Sequence, residues 1–415
     1  VLGSIRLPGV PRRGRTVRTI LTIGAAAALV LTGCGDKTAG DTGTSGAGGL
    51  SIQPLLQIDA AGKEVPAADT AAAADPAGNG AATCPPTTTI AMAGALTGPD
   101  AALGINIVNG VKLALDQHNK ANPGCQIKLK EYDTEGDPQK ASQVIPQIVN
   151  DPAVIGLVGP GFSGETKATG QILSDAGLVA VTSSATNATL TQNGWKTFFR
   201  GLANDDVQGP SVAEYLVGTA GYKKVCVVQD NTDYGVGLAQ SITAGLGAAA
   251  DPACAASIKK GDKDFSATVT KISSAQPDAI FYSGYYAEAA PLVQQLRSGG
   301  VEATFVSADG TNDPQFVSQA GGSSEGAVLS CPCGPAPDEF AQTYEKLHGQ
   351  APGVYSVEAY DLATILATGI DAGKLTRPDL LEFVRGYNGD GLARHYQWNA
   401  DGELSSALIW VYEVG

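Results

Sequence analysis

The 415 residues, 43% hydrophobic and 16% charged, supply enough apolar material for two packed lobes. A formal charge of −14 excludes nucleic acid and acidic membrane surfaces as partners. The three histidines, His118, His348 and His395, form no triad-like or metal-ligand pattern, which argues against catalysis and against a metal site.

Residues 1–33 read as a targeting segment. Arg6, Arg12, Arg13, Arg15 and Arg18 make a basic start, and Ile20 to Leu31 is an apolar run too short for a comfortable bilayer span. Leu31-Thr32-Gly33-Cys34 follows. It resembles the bacterial lipobox, which implies that Cys34 is lipidated and becomes the N-terminus. Loss of the five arginines takes the formal charge from −14 to −19. Residues 34–83 are then the lipidated cysteine and a disordered tether, rich in Gly, Ala, Thr and Asp. The apolar patch Leu50–Ile58 has no role in that reading.

From residue 84 strands and helices alternate, as parallel sheets with crossover helices require. Thr88 to Ala93 is a strand that runs into the turn Gly94–Pro99. A helix over 104–120 and a strand over 126–132 follow, and Asp137-Pro138 opens a second helix. Val154 to Val158 is a short β-branched run suited to a strand buried on both faces. Its turn, Gly159-Pro160-Gly161-Phe162-Ser163-Gly164, precedes a helix. The strand Leu178–Val181 ends in Thr182-Ser183-Ser184-Ala185-Thr186. Two adjacent parallel strands thus place two hydroxyl-rich turns at one carboxyl edge, where open α/β sheets bind ligands. Helix-start N–H groups beside hydroxyls suit a carboxylate.

Gly159, Gly161 and Gly164 also spell the dinucleotide fingerprint. That reading needs an acid at the end of the next strand, where Val181-Thr182-Ser183 offers none. A phosphate-binding Walker loop fails because Glu165 stands where its lysine belongs. Ser163 lacks the nucleophile elbow, since Glu165 replaces its last glycine. No cofactor is expected.

The second half repeats strand, polar or aromatic tip, helix. Asn204-Asp205-Asp206 suits a crossing between lobes, followed by a helix over 207–220. The strand 224–229 ends at Asp230 and runs into Asp233-Tyr234-Gly235-x-Gly237. A strand near 255–258 precedes Asp264-Phe265-Ser266, and the strand ending at Tyr282 leads to Tyr285. The strand 304–307 leads to Asp309-Gly310. Six cysteines remain beyond Cys34 and permit fifteen pairings in an exported chain. Sequence proximity suggests Cys84 with Cys125, Cys226 with Cys254, and Cys331 with Cys333.

These motifs, with Gly94-x-x-Thr97-Gly98-Pro99, Tyr132-Asp133 and Ala359-Tyr360-Asp361, resemble in order and spacing the periplasmic branched-chain amino acid binding proteins. These are the type I solute-binding receptors of ABC importers. The resemblance covers about 86–415. It implies two α/β lobes, each a mostly parallel sheet flanked by helices, joined by three hinge crossings. The lobes would be 86–204 with 331–393, and 205–330 with 394–415. It also implies the site. Ser163, Ser184 and Thr186 match positions that hold the amino acid carboxylate, and Ser184 and Thr186 also help hold the ammonium. Asp309 matches an acid, usually glutamate, that pairs the ammonium, and Gly310 lets the backbone approach. Tyr234 and Tyr285 match aromatics that close over the ligand, and Tyr355 matches one lining its side-chain pocket. Leu103 stands where the best-known members carry an aromatic, so the pocket is reshaped.

The implied function is reversible binding of a small amino acid, then delivery to an ABC permease and ATPase complex. The protein would be a monomer, lipid-anchored to the outer face of the bacterial cytoplasmic membrane. Amides, urea-like compounds or aromatic carboxylates are the alternative ligands, and a sensory module the alternative role.

Overall fold

The run Val154–Val158 is fully buried at the centre of a five-stranded sheet. The structure, a computed structural model, describes residues 49–67, 73–405 and 408–415. The targeting segment and Cys34 lie outside the described residues.

Strands β1 (Ile52–Ile58) and β2 (Glu64–Val65) come first. Then β3 (Thr89–Gly94), α1 (Ala101–Ala121), β4 (Lys128–Asp133), α2 (Pro138–Val149), β5 (Val154–Val158), α3 (Ser163–Asp175), β6 (Val179–Thr182) and β7 (Phe198–Arg200) build the first lobe. Its sheet has the order β4-β3-β5-β6-β7, parallel throughout. The second lobe runs α4 (Asp205–Glu214), β8 (Val225–Gln229), α5 (Asp233–Leu246), β9 (Ala256–Ser257), α6 (Ser266–Ala275), β10 (Ala279–Ser283), α7 (Tyr286–Ser298), β11 (Thr304–Ser307), α8 (Pro314–Ala320) and β12 (Val328–Cys331). The chain then returns through α9 (Asp338–His348), α10 (Ser356–Asp371) and α11 (Arg377–Arg385), where α10 packs on α1 and α11 on β5 and β6. A small hairpin, β13 (Asn388–Asp390) with β14 (His395–Gln397), precedes β15 (Ile409–Val414). The second sheet has the order β2-β1-β15-β12-β11-β10-β8-β9, with β15 and β1 antiparallel additions to a parallel core.

Local chemistry sets the helix starts. Asp137 caps α2 by accepting from Lys140 N at 2.8 Å, with Pro138 at the first helical position. Thr232 caps α5 through Gly235 N at 3.0 Å, and Asn204 caps α4 through Val207 N at 3.2 Å. α4 therefore begins earlier than the predicted residue 207, and residues 215–219 continue it as a π-helical turn. All three proximity pairs of cysteines are disulfides: Cys84–Cys125, Cys226–Cys254 and Cys331–Cys333.

The tether expectation for 34–83 is corrected over its described part. β1 pairs with β15 from Ile52 opposite Val414 to Ile58 opposite Ile409, and Ile58 is fully buried. Residues 74–84 then lie on the first lobe. Asn122 accepts from Ala82 N at 3.1 Å and donates to Ala77 O at 3.0 Å, and Ala74 N donates to Asp390 O at 2.8 Å. Composition argued that this stretch cannot form a core of its own. It does not need one, because the open edge of β15 supplies the hydrogen bonds.

Candidate functional site

The carboxyl edge of the first sheet carries two turns tied to each other. Gly159 leaves β5 with φ +115°, and a Cβ there would meet Ala93 O at 2.3 Å, so only glycine fits. Ser184 Oγ donates to Gly161 O at 2.5 Å, and Thr182 Oγ1 donates to Pro160 O at 3.0 Å. Ser163 opens α3, buried, and its hydroxyl accepts from Asn187 N at 3.2 Å. That leaves the Ser163 hydroxyl proton free to donate, beside first-turn N–H groups that have no intrahelical acceptor. The Ser184 hydroxyl proton is committed to the turn, so that hydroxyl has none to offer a ligand.

Arg200, at the end of β7, holds this edge from behind. It is fully buried and donates to Ala185 O and to Asn187 O, the latter at 3.1 Å. Two more of its donors meet Glu403 at 2.9 and 3.1 Å. Burial would raise Glu403, but the Arg200 charge and the hydrogen bonds from Arg200, Thr191 and Asn204 together hold it below the usual carboxylate range.

The second lobe carries Asp309, 1% exposed. Tyr234 donates to Asp309 Oδ1 at 3.1 Å and accepts from Gly310 N at 3.2 Å. Tyr355 donates to Asp309 Oδ2 at 2.6 Å. A Cβ on Gly310 would stand 2.8 Å from both the Tyr234 ring and Gly284 O. Tyr285 lies 5.2 Å from Tyr234, ring centre to ring centre, and stacks at 4.7 Å on Phe162 of the first lobe. Leu103 is fully buried in the first turn of α1 and adds no polar group.

Asp205 escaped the sequence reading, which took Asn204-Asp205-Asp206 for a crossing. Two acids after an N-cap are ordinary helix-dipole residues, so only the fold distinguishes them. Asp205 is fully buried, and neither carboxylate oxygen has a well-formed hydrogen bond. Burial, then the Asp309 charge, push it up to about 8, against the pull of the Thr186 hydroxyl and Arg200. Burial also raises Asp309, opposed by Tyr355, Gln208 and Tyr234. Ionisation of one of these two buried acids therefore opposes ionisation of the other.

The first sheet's edge thus offers an anion nest and hydroxyls, and the second lobe contributes two buried acids. Among the described residues the one group of metal-type ligands is His118, Cys125 and Asp371, and the Cys125 sulfur is bonded to Cys84.

A two-lobed α/β fold with its polar groups gathered between the lobes defines a solute-binding receptor. The profile of the periplasmic binding protein family matches residues 87–415. The chain belongs to the periplasmic branched-chain amino acid binding proteins, a family of substrate-binding proteins and not enzymes. It is 29% identical over 332 residues to a leucine-, isoleucine-, valine-, threonine- and alanine-binding protein of Pseudomonas aeruginosa, covering 78% of this chain and 89% of that one. It is 30% identical over 334 residues to an amino acid binding protein of the same organism, with 78% and 89% covered. The branched-chain amino acid transporter substrate binding protein LivJ of Streptococcus pneumoniae, solved with isoleucine, superposes with a TM-score of 0.73 at 26% identity, over 79% of this chain and 99% of that one. The family is extracytoplasmic, and no helix among the described residues is long and apolar enough to cross a membrane.

Proposed function

We propose that this chain binds a zwitterionic α-amino acid with an aliphatic side chain between its lobes and delivers it to an ABC permease. The pairing of Asp309 with Asp205 carries the reading. Two buried acids close enough to oppose each other's ionisation call for a cation, and Arg200 near Asp205 is already committed to Glu403 and two carbonyls. An ammonium meets that demand, while the Ser163 turn and Thr186 receive the carboxylate. Amides, urea-like compounds and aromatic carboxylates would leave both acids unpaired. The relatives named for leucine, isoleucine and valine support an aliphatic side chain. Anchoring through Cys34 would keep the receptor near its permease.

The test is a calorimetric titration of the chain from Gly49 onward against the twenty amino acids, simple amides and benzoate. A micromolar complex with an aliphatic amino acid, about −8 kcal/mol, is expected. Heat with benzoate and silence with every amino acid would overturn the reading.

A further inference from the structure

The lobes also meet through a lysine outside the ligand cluster. Lys260 follows β9 in the second lobe, and its Nζ lies 2.8 Å from Asp100 Oδ2. Asp100 stands just before α1 in the first lobe and is 1% exposed. The same ammonium lies 4.8 Å from the centre of the Tyr285 ring and 5.5 Å from that of Phe162. These two rings, one from each lobe, are themselves stacked. One cation therefore joins three groups, two of them across the cleft.

Lys260 is held firmly on its own side. Its backbone N donates to Asn231 Oδ1 at 2.8 Å, and Gly261 N donates to Glu288 Oε1 at 2.8 Å. Two more buried acids of the second lobe, Asp230 and Glu288, face it, and Glu165 faces it from the first. When the lobes part, Asp230 and Glu288 still neutralise the ammonium, and Asp100 regains water. The Asp100 contact and the Phe162 contact exist only when the lobes meet. A desolvated ion pair adds little net stability, yet removing one partner leaves the other's buried charge uncompensated. A cation over an aromatic face adds directional attraction.

We propose that Lys260 is a bolt on the closed cleft: by joining Asp100 and seating on Tyr285 it slows release of the bound solute without touching it. The inference rests on the reading that the solute sits between the lobes. It makes Lys260 a positioning residue for Tyr285, and it separates release from recognition.

Release of leucine is followed by stopped-flow tryptophan fluorescence in the full chain and in Lys260→Met, Asp100→Asn, the double variant and Lys260→Arg. Dissociation should quicken about tenfold in each neutral single variant, since truncating one partner of a buried charge pair acts on the off-rate. Association should change little, the double variant should be no worse than the poorer single one, and Lys260→Arg should recover most of the loss. Additive losses in the double variant, or unchanged dissociation, overturn the bolt. Hydrogen exchange of the 160–166 and 284–290 backbone without leucine gives a second readout. Faster exchange there in Lys260→Met supports the bolt even if leucine proves not to be the solute. If no leucine complex forms, unchanged exchange overturns it.

Discussion

Tyr355 donates its hydroxyl to Asp309 Oδ2 at 2.6 Å, and it does so from a left-handed backbone with φ +70°. A non-glycine residue in that region costs roughly 1–3 kcal/mol and persists only where the surroundings dictate it. Here it stands just before α10 and turns the ring toward the second lobe's acid. Tyr355→Phe keeps the ring and loses the bond. A hydrogen bond to a charged group contributes about 1.5–3 kcal/mol, so leucine affinity should fall by roughly tenfold or more. Asp309→Ala should cost more, about 2–5 kcal/mol, because the ammonium itself is left unpaired. Calorimetry on both variants checks the order. Equal affinity in Asp309→Ala and the parent would remove Asp309 from the site.

Binding should release a proton. Asp205 stands near 8 because of burial and the Asp309 charge, so at pH 7 it is mostly protonated. An incoming ammonium lowers that value, and the proton leaves. Titrations at pH 7 in phosphate and in Tris should give enthalpies that differ by the buffers' ionisation heats, with the sign of protons released. Asp205→Asn should abolish the difference and weaken binding. Retention of the difference in that variant would assign the proton elsewhere.

Tyr234 is buried, bonds Asp309 and accepts from Gly310 N, so two readings compete, core residue and ligand cover. Tyr234→Ala should weaken leucine binding strongly while the melting temperature without ligand falls only modestly. A large fall in that melting temperature would favour the core reading.

Stability without ligand should rise as the pH falls. Burial raises Glu165 and Glu288 to about 7 and Asp230 to about 6. Each is above its unfolded value, so the native state prefers the neutral form. That stability is complete below about pH 4 and is lost as the pH climbs through 6 to 7. Melting temperatures should therefore be lower at pH 8 than at pH 5. Glu165→Gln keeps the acceptor that Phe162 N meets at 2.8 Å and should flatten the profile. A profile unchanged by that substitution would show that Glu165 does not contribute to it.

How much of this is legible in the sequence depends on the range of each interaction. The run Val154–Val158 and the Asp137-Pro138 start carry their own signals, β-branching and capping, and both stand where they were read. Asp309 and Tyr355 were found only through family motifs. Their meeting joins residues 46 apart in sequence, from opposite sides of the cleft. Asp205 and Arg200 had no local mark at all. An acid in a first helical turn and an arginine ending a strand are ordinary until the fold buries them. The same holds for β1. Its composition argued for a tether, and its partner β15 lies at the other end of the chain.

That last pairing has a consequence for any shortened chain. A fragment beginning at residue 84 keeps the whole stretch matched by the family profile, yet it strips β1 from β15. The edge of β15 would then show its backbone N–H and C=O groups, with Ile409 and Val411, both now buried, beside them. Exposed edges of that kind pair with other chains. The 84–415 fragment should melt at lower temperature than the 49–415 chain and should self-associate with rising concentration. Differential scanning fluorimetry and light scattering on the two lengths check this. Equal melting temperatures and equal monomeric mass would mean that β1 merely rests on the edge. A fall in stability reversed by adding the 49–67 peptide in trans would show that the strand itself supplies it.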